Sequence, residues 1–139
     1  MKKFATTLAF LVVSCLLGCG GGNVGMSGTV TFSDNGEPLQ LGTVYFSSPS
    51  FESRGRLDEK GNYTIGSLKE SDGLPKGTYT VYVNGANRFE GSEAEGNFRM
   101  VPLIDRKFTQ PETSGLTVNV DGKSKRFDFK VDRLQPKDK

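Results

Sequence analysis

From residue 25 onward, apolar and polar positions alternate with a period of two rather than 3.6, which predicts strands. Val30 and Phe32 alternate with Thr29 and Thr31. Val44 and Phe46 share one face of the stretch Gly42 to Ser48, with Thr43 and Tyr45 on the other. A weaker strand spans Ser53 to Leu57, and Tyr63 and Ile65 alternate with Asn62 and Thr64. The clearest strand opens at Gly77, with Tyr79, Val81 and Val83 facing inward and Thr78, Thr80 and Tyr82 outward. Two more follow, with Leu116, Val118 and Val120, then Phe127, Phe129 and Val131, on the inner face. Turn signals separate them. Asp34-Asn35-Gly36-Glu37-Pro38 reads as a tight reversal, Asp58-Glu59-Lys60-Gly61 as a second hairpin, and Asp121-Gly122-Lys123 as a third turn. Seven short strands without an amphipathic helix predict an all-β fold, an antiparallel seven-stranded β-sandwich over residues 25–132. The stretch from Asn84 to Glu112 breaks the pattern and reads as irregular, apart from a short strand or turn around Val101 to Ile104. Residues 133–139 read as a charged tail.

Before the sandwich the pattern is different. Lys2 and Lys3 precede an apolar run from Phe4 to Leu17 that is short for a membrane span and suited to a signal peptide. The run ends in Leu16-Leu17-Gly18-Cys19, which resembles the lipobox of bacterial lipoproteins. That resemblance implies a signal peptide over residues 1–18, cleavage between Gly18 and Cys19, and acylation of Cys19. Several acyl chains would anchor the protein firmly, each buried methylene contributing about 0.8 kcal/mol. Val12-Val13-Ser14-Cys15 is a weaker alternative, because it shortens the apolar run. Gly20 rather than Asp follows Cys19, which favours an outer membrane where one exists. Residues 19–24, with Gly20-Gly21-Gly22-Asn23, form the lipidated start and a flexible tether.

The motifs within the sandwich resemble a known family. Gly28-Thr29-Val30-Thr31, Gly36-Glu37-Pro38-Leu39 and Gly42-Thr43-Val44-Tyr45-Phe46 are similar to the opening of transthyretin-like, carboxypeptidase regulatory-like domains. Leu57 to Tyr63 resembles the hairpin of that family, and Leu74 to Val81 its approach to a central strand. Asp105-Arg106-Lys107-Phe108 through Phe129 is similar to small bacterial lipoproteins built on the domain. The resemblance implies a transthyretin-like or Ig-like Greek-key sandwich. Its motifs are turns and core positions, so they speak to fold and not to activity.

Composition narrows the chemistry. There is no His, and the two cysteines are Cys15 and Cys19, so residues 20–139 offer no imidazole or thiol. A zinc site and a Ser-His-Asp triad are thereby excluded from the sandwich. No cofactor or metal is expected. The formal charge of +2 belongs to Lys2 and Lys3, and the remainder is neutral, which gives no reason to seek nucleic acid. Asp58 to Asn62 lacks the ligand spacing of a calcium loop and reads as a turn capped by Asp58. Two groups remain as candidate ligand surfaces. Tyr45 and Tyr82 face outward, where rings can stack on a sugar or peptide. Glu90, Glu93 and Glu95 lie near Arg88 and Arg99, in a weak paired-carboxylate or solvated-loop pattern.

These readings point to a lipid-anchored, extracytoplasmic module of the bacterial cell envelope, a monomeric domain without catalytic activity. Its structural or interaction role would involve an envelope protein. The alternative is a glycan- or peptide-binding module using the outward tyrosines or the loop 84–112. Cys19→Ser is expected to abolish metabolic labelling with a palmitate analogue while leaving a foldable domain. Persistent labelling would reassign the modified residue to Cys15.

Overall fold

The computed structural model describes residues 22–66, 69 and 72–135. Gly18, Cys19 and Cys15 lie outside the described residues. The chain is all-β. Its strands are β1 (Ser27–Phe32), β2 (Thr43–Ser47), β3 (Glu52–Arg56), β4 (Asn62–Thr64), β5 (Gly77–Asn84), β6 (Asn87–Glu90), β7 (Arg99–Pro102), β8 (Leu116–Val120) and β9 (Phe129–Val131). Among the described residues the helical element is a single 3-10 turn, Arg106–Thr109, capped by the Asp105 side chain.

Seven strands form two facing sheets, one ordered β4-β1-β9 and the other β3-β2-β5-β8. β6 and β7 pair with each other in a separate hairpin. The alternation read from the sequence places the core between the two sheets. Val30, Phe32, Val44, Phe46, Tyr63, Ile65, Tyr79, Val81, Val83, Phe129 and Val131 are buried there. Phe46 is the hub: its ring centroid lies 6.1 Å from Tyr63, 6.4 Å from Tyr79 and 6.2 Å from Phe127. Phe127 and β8 residues Leu116 and Val118 are half-buried and pack against this cluster.

The expectation of a wholly antiparallel fold is corrected at one place. β9 runs parallel to β1, with Val30 opposite Phe129 and Phe32 opposite Val131. The hairpins expected at residues 34–38 and 58–61 are corrected too, and the turn at 121–123 likewise joins two sheets. Each turn is present, but the strands it separates lie in different sheets. After Gly36, which has φ +74°, the chain folds back on β1 through Thr31 and Pro38 and then crosses to the other sheet. Asp58 takes backbone N–H bonds from Lys60 (2.9 Å) and Asn62 (2.8 Å), so the capped turn is as expected. Its outcome is a corner between β3 and β4, with a single bridge at Arg54 and Gly66. A turn motif encodes a reversal of local direction. Which strand it then meets is decided by the core.

The segment read as irregular contains paired structure. Arg88 faces Val101 and Phe89 faces Met100 across the β6–β7 hairpin. Its base is held by Leu103, whose N–H donates to Ala86 (2.8 Å) and whose carbonyl accepts from Leu134 (3.0 Å). Arg133, at the start of the stretch read as a tail, lies 3.7 Å over the Phe32 ring and pairs with Asp34 and Glu37. Among the described residues, the first tied into the fold by backbone bonds is Val24, which exchanges them with Leu74.

Tyr79 is almost fully enclosed and donates its hydroxyl to the Pro75 carbonyl at 2.9 Å. Tyr79→Ala is therefore expected to cost about 3–5 kcal/mol, as for other large aromatic truncations in cores. Chemical denaturation checks this, and a midpoint close to wild type would refute the buried assignment.

Candidate functional site

The sequence candidates fall in two separate places. Tyr45 and Tyr82 are cross-strand partners on the outer face of the four-stranded sheet. Their rings stack on each other, 4.9 Å apart and 10° from parallel. Each ring thus spends one face on its neighbour, and the pair forms a ladder rather than an open platform. The Tyr82 hydroxyl donates to Glu52 at 3.1 Å. Partial burial, then the bond to Glu52, pushes its pKa up to about 12. The phenol stays protonated and serves to fasten β5 across β2 to β3.

The glutamates lie on the β6–β7 hairpin and do not converge. Glu90 accepts from Arg88 (2.6 Å) and Arg99 (2.9 Å), one cation on each side. Hydrogen bonds from Arg99 and then Arg88 lower its pKa. A carboxylate held as an anion between two arginines is unsuited to act as a general acid. Glu95 accepts from Asn97 at 3.1 Å, and Glu93 is exposed at the turn. The paired-carboxylate pattern is not formed, because Glu90 is committed to the arginines and the other two belong to the tip. Among the described residues, no three His, Cys, Asp or Glu side chains come together to hold a metal.

The hairpin has two unlike faces because its side chains alternate across each strand. Arg88, Glu90, Arg99 and the half-buried Val101 share one face. The other carries Phe89 and Met100 side by side, with Phe98 stacked on Phe89 at 5.1 Å and 6°. Phe89, Phe98 and Met100 are 64%, 48% and 59% exposed. These three were missed by sequence reasoning. The available signal was that large apolar side chains occur there in a strand pattern with no core to face. The tip is well formed, since Gly91 has φ +84° and Asn97 accepts the Ser92 N–H at 2.6 Å.

The hairpin also lies far from the Val24–Leu74 bridge. Val24 is bridged to Leu74, three residues before β5. β5 then runs eight residues to Asn84, about 25 Å at strand rise, before β6 begins. The hairpin and the Val24–Leu74 bridge therefore lie at opposite ends of β5.

No family model matches the chain, and no curated protein matches it. Among solved structures it is similar to a variant of BcpA, the major pilin subunit of Bacillus cereus, at 11% identity and a TM-score of 0.48. That match covers 81% of this chain and 30% of the pilin. BcpA itself matches at 11% identity and a TM-score of 0.47, over 79% of this chain and 29% of the pilin. A 9R-lipoxygenase from Cyanothece matches at 16% identity and a TM-score of 0.36, over 78% of this chain and 16% of that one. The chain thus spans under a third of the pilin and about a sixth of the lipoxygenase.

Because the Glu90 pKa is lowered by folding, its contribution is present above the unfolded carboxylate value and lost as pH falls through the folded one. Acidification from neutrality to below roughly pH 4.3 is expected to release β6–β7 amides to hydrogen exchange before those of β5. Glu90→Gln is expected to show the same loss at neutral pH with little change in melting temperature. Unchanged protection in that variant would refute the clamp.

Proposed function

We propose that this chain is a lipid-anchored, extracytoplasmic β-sandwich of transthyretin-like type that acts as a non-catalytic interaction module of the cell envelope. It docks a protein partner through the β6–β7 hairpin. The observation that carries this reading is the exposed apolar face of Phe89, Phe98 and Met100 on a hairpin at the other end of β5 from the Val24–Leu74 bridge. Large apolar side chains gathered on a projecting element are characteristic of contact surfaces.

The chemistry of the hairpin favours a protein over an anionic lipid surface. Glu93 and Glu95 stand at its tip, ahead of the phenylalanines, and would be repelled by acidic headgroups. An apolar groove rimmed by basic side chains fits better. The glycan reading through Tyr45 and Tyr82 has weaker support, since those rings stack on each other.

A photo-crosslinking residue placed at Met100 in the anchored protein tests the reading, with Asn119 on the outer face of β8 as control. A discrete protein adduct is expected from position 100, absent from position 119 and lost when Phe89→Ser is added. Equal adducts from both positions, or none from position 100, would refute docking through the hairpin.

A further inference from the structure

A second surface lies on the flank of the sandwich, between the edges of β3 and β4. A groove of about 500 Å³ there is lined by Arg54, Arg56 and Lys69. None of the three forms an ion pair among the described residues, although Arg88, Arg99, Arg126 and Arg133 all do. Among the described residues, Arg54, Arg56 and Lys69 therefore differ from those arginines in having no ion-pair partner. The carboxylate in the groove, Asp58, is turned into its own loop, accepting from Lys60, Asn62 and the Asn62 side chain. Asp72 accepts the backbone N–H of Lys69 at 3.1 Å.

The spacing of the cations is regular. Arg54 and Arg56 are two residues apart on one strand and point the same way, which sets them about 7 Å apart along the edge. Between them Gly55 contributes no side chain, and its backbone lies against the Thr64 carbonyl, where a Cβ would approach to 2.2 Å. Gly55 thereby lets β3 pack closely on Thr64, with Arg54 and Arg56 on the exposed face of the strand. The edge of β3 is also closed to an added peptide strand at its centre. Arg54 donates its N–H to Gly66 (3.4 Å) and accepts the Gly66 N–H (3.0 Å). A ligand here would be held by side chains and not by strand addition. Guanidinium groups bind phosphate and carboxylate oxygens through paired hydrogen bonds, and an ammonium adds a third point of charge.

We propose that this groove binds an extended anionic polymer, whose successive phosphate or carboxylate groups are taken by Arg54, Arg56 and Lys69. The inference does not depend on the hairpin. Because the chain beyond the leader is neutral overall, the attraction is local to the groove rather than a property of its net charge.

Binding of the full-length protein in detergent micelles is measured against long-chain polyphosphate, polygalacturonate and neutral dextran. Arg54→Gln/Arg56→Gln is compared with Lys123→Gln/Lys125→Gln, which removes the same charge from an exposed turn away from the groove. The groove variant is expected to lose at least tenfold in affinity and the turn variant less than threefold, with no binding to dextran. Binding to polyphosphate alone assigns a phosphate ligand, to polygalacturonate alone a carboxylate ligand, and to both a general polyanion site. Failure of the wild type to bind either polyanion, a loss of less than tenfold in the groove variant, or equal losses in the two variants would overturn the proposal. Circular dichroism of each variant separates lost binding from lost fold.

Discussion

The fold depends on one seam, where the Tyr63 hydroxyl donates to the Phe127 carbonyl above Gly28. Tyr63 comes from β4, Gly28 from β1, and Phe127 leads into β9, so the contact joins all three strands of that sheet. Gly28 permits it. A Cβ there would stand 2.0 Å from the Phe127 oxygen and 2.7 Å from the Tyr63 hydroxyl. Phe127 also donates its N–H to Ser27 at 2.9 Å. The phenol is buried, which raises its pKa and makes an unpartnered hydroxyl costly, on the order of 1–3 kcal/mol. From Phe127 the chain enters β9, which lies beside β1 and parallel to it. Phe46 from the opposite sheet packs on both Tyr63 and Phe127, so the same seam holds the two layers together.

Around this core the molecule presents three surfaces of different chemistry. The hairpin at one pole is apolar on one side and ion-paired on the other. The outer face of the four-stranded sheet is self-satisfied, with Tyr45 on Tyr82 and Tyr82 bonded to Glu52. The flank between β3 and β4 carries Arg54, Arg56 and Lys69, none of which forms an ion pair among the described residues. A side chain that already has a partner has little left for a ligand. By that criterion the hairpin face and the basic flank stand apart from the tyrosine ladder.

The candidate site was only partly legible in the sequence. Parity put Tyr45 and Tyr82 on the outside, and they are there, but parity cannot tell an open ring from one stacked on its neighbour. The acidic pattern of Glu90, Glu93 and Glu95 suggested a cluster. Pairing across the hairpin instead set Glu90 between Arg88 and Arg99 and sent the other two to the tip. Phe89, Phe98 and Met100 escaped notice because β6 and β7 bury little against the sandwich, so their alternation is not tied to the core. The basic groove was hidden for another reason. Arg54 and Arg56 are close in sequence, but Lys69 comes to them only when the corner at Asp58 brings β4 across Gly55.

The sequence alone determined the strand periodicity, the inward residues and the capped turn at Asp58, because these rest on local sterics and on the two-residue alternation of side chains. It also carries the Cys19 motif, which is read from covalent pattern and needs no fold. Tertiary structure decided which turns become corners between sheets, the parallel pairing of β9 and the two-faced hairpin. It also decided which arginines are left without an acid. Those outcomes depend on contacts between residues up to about a hundred positions apart, such as Ser27 with Phe127. No local pattern records which of several compatible partners will be satisfied when the core closes.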